Sequence, residues 1–180
     1  HAFIIDRITT VTATDTVVTF KDVKDGLVAI RVARELELPS KDATQFVDNN
    51  GNVTTVKASD KKGVTGMYYA SNGLTGDAVW SSKGPWVMPT GKKDGKEITI
   101  GIIDHPTNKG YPAYWHARGY GLFAANPLGR KIFSNGKEEL NLSLPPGSSA
   151  TFRYRFVIQS GPTLSHDEMN NWAAAFVKEY

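Results

Sequence analysis

The sequence predicts an all-β fold: a single antiparallel β-sandwich over residues 1–180, with one C-terminal α-helix. Three observations carry this expectation. Apolar and polar residues alternate with a period of two in several segments rich in β-branched types. Clusters of Gly, Asn, Asp and Pro separate those segments. Only the last stretch repeats its apolar residues at helical spacing.

In chain order, Phe3 to Thr12 sets Phe3, Ile5, Thr9 and Val11 against Ile4, Asp6, Ile8 and Thr10, the pattern of a strand. Val17 to Lys21 reads as a short second strand, and Asp22 to Gly26 as a turn with Gly26 free to take positive φ. Leu27 to Leu38 reads as a long third strand; its β-branched residues and Pro39 favour strand over helix. From Ser40 to Gly73 the chain is polar, with turn signals at Asn49-Asn50-Gly51 and Lys61-Lys62-Gly63 and an edge strand at Asn52 to Lys57. Strands are then expected at Ala78 to Ser81, Trp86 to Met88 and Glu97 to Asp104, and an extended aromatic segment at Tyr111 to Leu122. Asn126 to Gly129 is a turn. Ala150 to Gln159 is a strand with Phe152, Tyr154, Phe156 and Ile158 on one face and Arg153, Arg155 and Val157 on the other, where Arg153 and Arg155 are expected to be solvated. Finally, Ser165 and Glu168 form a capping box ahead of Met169, Trp172, Ala173 and Phe176, a stripe that packs a helix onto the sheet.

Composition narrows the function classes. The chain has no cysteine, which excludes disulfides, thiolate metal sites and cysteine nucleophiles. Its net charge is +3, but the lysines are scattered through turns and nowhere interleave with aromatics, so no nucleic-acid partner is expected. No apolar run approaches the roughly 20 residues that span a bilayer, so no membrane partner is expected either. His1 leads into Ala2-Phe3-Ile4-Ile5 without a basic n-region, so a signal peptide is not apparent.

Candidate chemistry concentrates between Asp104 and Asn126, where two of the four histidines fall among aromatics and prolines. Pro106 stops the preceding strand behind Asp104 and His105. His116 and Arg118 share one face of an extended segment, with Trp115 and Ala117 on the other. A guanidinium beside an imidazole favours the neutral ring, which can act as base, ligand or hydrogen-bond partner. Arg118 offers a fork of donors to a carboxylate, and Asp104 could act as a base or orient a histidine. The candidate catalytic residues are therefore His116, Asp104 and His105; the candidate binding residues are Arg118, Trp115, Tyr114, Tyr120, Asn126 and Arg31. The competing reading makes Asp104, His116 and Arg118 a buried polar network that holds a loop. Arg31 and Glu35 read as a solvent-facing ion pair, with the floor of the same cleft as the alternative. Trp80 and Trp86 suit core packing or stacking on a sugar ring, and His166 suits a structural role.

Several motifs resemble the bacterial family labelled "methane oxygenase PmoA". They are Asp25-Gly26-Leu27 with Ile30-Arg31-Val32-Ala33 and Glu35, Gly76-Asp77-Ala78-Val79-Trp80, Gly84-Pro85-Trp86-Val87, and Ile103-Asp104-His105-Pro106. Tyr114-Trp115-His116-Ala117-Arg118, the run Tyr120 to Gly129, and Phe152-Arg153-Tyr154-Arg155 complete the set. The resemblance implies a sandwich of galactose-mutarotase type and secreted or periplasmic proteins of glycan-degrading bacteria. It also implies that the chain matches the C-terminal portion of a longer member, with a homodimer or an N-terminal portion covering an exposed sheet.

These readings together predict a carbohydrate-active protein with a carbohydrate ligand. In the leading version it is an enzyme (hydrolase, lyase or epimerase) acting on an acidic or oxidised sugar, with no metal and no cofactor. A non-catalytic carbohydrate-binding module is the first alternative. A metal-dependent oxygenase or hydrolase built on Asp104, His105 and His116 is the second, and it requires a kink at Pro106 to turn neighbouring side chains to one point.

Overall fold

The computed structural model describes residues 2–39, 44–47, 51–56 and 62–180. Its strands are β1 (Ala2–Thr12), β2 (Val18–Thr19), β3 (Val28–Arg31), β4 (Thr44–Val47), β5 (Val53–Val56), β6 (Met67–Ala70), β7 (Trp86–Lys93), β8 (Lys96–Asp104), β9 (Tyr114–Ala117), β10 (Leu122–Asn126), β11 (Ser143–Leu144) and β12 (Ser149–Ser160). The helices are α1 (Arg130–Phe133) and α2 (His166–Glu179). His1, Asn49, Asn50, Lys57 and Lys61, which figure in the expectations above, lie outside the described residues.

A five-stranded antiparallel sheet, ordered β1-β12-β8-β7-β6, faces a three-stranded sheet ordered β3-β10-β9. The fold is therefore all-β and sandwich-like, as the alternation predicts. β7 and β8 join through Asp94 and Gly95, both at positive φ (51° and 76°), the backbone that a two-residue hairpin requires.

Period-two alternation divides the large sheet between two cores. Its inner face contributes Val87, Ile102, Phe152, Tyr154 and Phe156, which pack against Val28, Trp115, Phe123 and Ala125 of the small sheet. Its outer face contributes Trp86, Met88, Ile103 and Val157, covered by Met169, Trp172, Ala173 and Phe176 of α2. The capping box forms as expected, with Ser165 and Glu168 each satisfying the other's backbone amide. Asp104 ends the inner face of β8, and His105, one residue on, turns to the helix side.

Five expectations change. The segment from Tyr111 to Leu122 is extended only at Tyr114–Ala117, because the Gly121 amide bonds the Arg118 carbonyl and turns the chain back into β10. The long strand from Leu27 stops at Arg31, because its partner β10 ends in a turn there; Arg34–Leu36 then forms a 3-10 turn that buries Leu36. Ala78 to Ser81 is no strand: Gly76–Val79 is a 3-10 turn. Arg155 is not solvated. It lies under α2, bonded through Nε and Nη2 to Asp6 at 2.7 Å each and also to Glu179. Glu35 pairs with Lys93 at 2.9 Å rather than with Arg31.

Candidate functional site

Asp104 and His105 do not converge with His116 and Arg118. Buried Asp104 accepts from Asn108 Nδ2 at 2.7 Å and from the Ala113 amide at 2.8 Å. Asn108 also bonds both backbone groups of Arg153 at 2.7 Å, so the carboxylate locks the 105–113 loop onto β12. Burial raises Asp104 to about 6, opposed by those same donors. His105 is buried beneath α2, edge-on to Phe176 at 5.0 Å. Its Nδ1 accepts from the Thr107 amide, and its Nε2 has no partner among the described residues. Burial, then the charge of Arg153, holds this ring below the usual imidazole range.

The second half of the predicted segment does form a cluster. Along β9 and the turn after it, Tyr114, His116 and Arg118 alternate onto the outer face of the small sheet. His116 Nδ1 lies 3.0 Å from the Lys24 carbonyl, which can only accept, so Nδ1 carries the proton. Nε2 of the neutral ring is then an acceptor, and Arg118 Nε donates to it at 3.3 Å. Burial is the main cause holding His116 below its ordinary value; Arg118 works in the same direction and the Lys24 carbonyl against it. The Arg118 guanidinium carbon sits 3.5 Å from the centre of the Trp80 ring, a cation–π contact. Trp80 also meets His116 edge-on at 4.8 Å. Arg118 is thus fixed through one nitrogen and one flat face, and its terminal nitrogens make no hydrogen bond among the described residues.

The other candidate residues divide by exposure. Arg31 is exposed, donates to the Tyr120 carbonyl at 3.2 Å and lies 5.3 Å from that ring's centre, which places a second guanidinium at the same hairpin end. Trp115 is core: it stacks on Phe123 at 5.8 Å and donates to the Gly84 carbonyl at 2.9 Å. Tyr114 is buried against Phe133 and donates to Glu138 at 3.0 Å. Asn126, fully buried, donates to the Val23 carbonyl and accepts from the Leu128 amide, each at 2.9 Å. It thereby holds the turn whose Lys24 carbonyl meets His116.

The Lys24 carbonyl and the use of Trp80 as the platform under Arg118 are missing from the sequence reading. Both lie far from Arg118 in sequence and carry no local signal. Gly76-Asp77-Ala78-Val79-Trp80 marks the turn but not its target.

The chain belongs to a family of unknown function, DUF6807. The family match covers residues 1–174, both sheets and most of α2 included. No curated protein and no solved structure matches the chain. Among the described residues of this DUF6807 member, no three His, Asp or Glu side chains gather as a metal-binding set, and no helix is long and apolar enough to cross a membrane.

Proposed function

We propose that this chain recognises a carboxylate-bearing carbohydrate, an acidic or oxidised sugar, at the Arg118 end of the small sheet. One observation carries the reading. Arg118 is immobilised by His116 and Trp80, while its terminal nitrogens remain available for a bidentate carboxylate contact. Pre-ordering the donor lowers the entropic cost of binding. Arg31 supplies a second positive charge nearby. The carbohydrate part of the proposal rests on the motif resemblance.

Binding is favoured over acid–base turnover by the same geometry. Asp104 is already bonded to two donors, His105 is under α2, and the acceptor nitrogen of His116 is occupied by Arg118.

Calorimetry with an oligouronate and its neutral counterpart tests the reading. The oligouronate should bind and the neutral glycan should bind at least tenfold more weakly. Arg118→Lys, which keeps the charge but loses the fork and the flat face, should lower affinity about 10- to 100-fold. Equal binding of the two glycans, or full affinity in Arg118→Ala, overturns the proposal. Turnover of the bound glycan would restore the enzymatic reading.

A further inference from the structure

β1 is the end strand of the large sheet, paired with β12 from Ala2 to Thr12. Its other edge has no strand partner among the described residues. Native edges are commonly protected by charged side chains, lysine above all, by proline, by bulges or by short length; the two charges of β1 are Asp6, tied to Arg155 of the neighbouring strand, and Arg7. β1 has eleven residues, none of them Lys, Pro or Gly, and its ladder to β12 is unbroken. Phe3 is 64% exposed, Ile5 44% and Ile8 48%. Beside them lies a groove of about 620 Å³, walled by Ile5, Ile30, Ile100, Phe156 and Ile158.

We propose that this edge pairs with the same edge of a second copy, β1 against β1, antiparallel about a two-fold axis normal to the sheet at Ile5. Length selects the partner: β3, β6 and β9, the other outer strands of the two sheets, have four residues each. The two-fold keeps both α2 helices on one side of the joined sheet. Inner-face side chains then meet inner-face side chains, so odd positions lie opposite odd ones.

Charge and coverage then fix the register. An axis at Asp6 or Arg7 sets like charges opposite each other. An axis at Ile4 leaves Ile8 beyond the pairing, and one at Ile8 leaves Phe3 beyond it. With the axis at Ile5, Ile5 meets its own counterpart, Phe3 the stem of Arg7, Ile4 Asp6, and Ala2 Ile8. All three exposed apolar residues fall within the paired stretch, and Asp6 keeps its bonds to Arg155.

Sedimentation equilibrium of the whole chain should give a dimer. Ile5→Lys sets two ammonium groups opposite each other, so the mass should halve to the monomer's 19.7 kDa with circular dichroism unchanged. The absence of cysteine makes the register directly readable. Ile5→Cys should form a disulfide-linked dimer under mild oxidation, and Ile8→Cys should not. A mixture of Phe3→Cys and Arg7→Cys chains should cross-link to each other. A monomeric wild type, a dimer that survives Ile5→Lys, or equal cross-linking at positions 5 and 8 overturns the proposal.

Discussion

Replacing Asp104 with Asn separates the two roles that sequence and structure offer for this residue. The carboxylate is 1% exposed and accepts one donor on each oxygen, from Asn108 and from the Ala113 amide. Asparagine keeps the shape but turns an NH₂ toward one of those donors. That leaves a buried mismatch costing about 1–3 kcal/mol. A second effect is specific to ionisation. Burial raises Asp104 from 3.8 to about 6 in the folded chain. A raised folded pKa means that the folded state holds the proton more tightly than the unfolded one. Its contribution to stability is complete below pH 3.8 and is lost as pH rises through 6. The span is about 2 units, worth roughly 3 kcal/mol. Urea unfolding followed by tryptophan fluorescence, run in steps from pH 4 to pH 7.5, measures it. The stability gap between wild type and Asp104→Asn should be widest at pH 4 and narrow by roughly 3 kcal/mol toward pH 7. Working with the difference removes the opposite trend from Asp22, Glu138 and the other carboxylates held below their ordinary values. Parallel pH profiles would refute the claim that the pKa of Asp104 is raised by burial.

Two further outcomes follow from the same contacts. Protonating His116 would put an N–H on Nε2 facing the Arg118 Nε–H, so affinity for the oligouronate should fall as pH drops below the ordinary imidazole value. Of the charged groups around the ring, Lys24 and Arg118 resist that protonation and Asp25 favours it; a pH-independent affinity measured by calorimetry would remove His116 from the support of Arg118. Phe176→Ala should cost about 3–5 kcal/mol in urea unfolding, because its ring is fully buried and touches both His105 and Arg155; a loss under about 1 kcal/mol would mean that α2 does not seal the outer face.

The parts of the fold legible in the sequence are those where local pattern and tertiary packing agree. β1, β8 and β12 carry the period-two pattern in their sequence, β8 and β12 with both faces covered, and the α2 stripe meets an apolar sheet face. The residues from Leu27 to Leu38 misled because strand propensity persists past the point where a partner exists. Val32 still bonds the Gly121 carbonyl, but the β9–β10 turn ends the ladder there. Arg155 misled in the opposite direction. An arginine on a strand face suggests solvent, yet α2 covers that face and Asp6 and Glu179 neutralise the charge, a long-range arrangement that alternation cannot reveal. For the site, the pairing of His116 with Arg118 follows from period two. The separation of Asp104 from His105 follows from the same rule, while the distance of both from Arg118 depended on how the sheets stack.

Energetics decide why a ligand would meet Arg118 rather than Asp104. To reach a ligand, Asp104 would have to abandon two charge-assisted hydrogen bonds, each worth about 1.5–3 kcal/mol, and release the 105–113 loop from β12. Arg118 gives up only water: its Nε bond to His116 and its stacking on Trp80 persist while its terminal nitrogens engage a carboxylate. The support behind it is continuous, since Asn126 fixes the turn carrying Lys24, the Lys24 carbonyl fixes the His116 tautomer, and that tautomer fixes Arg118. Asn126→Ala should therefore weaken ligand binding without touching the ligand, by loosening the carbonyl that selects the His116 tautomer.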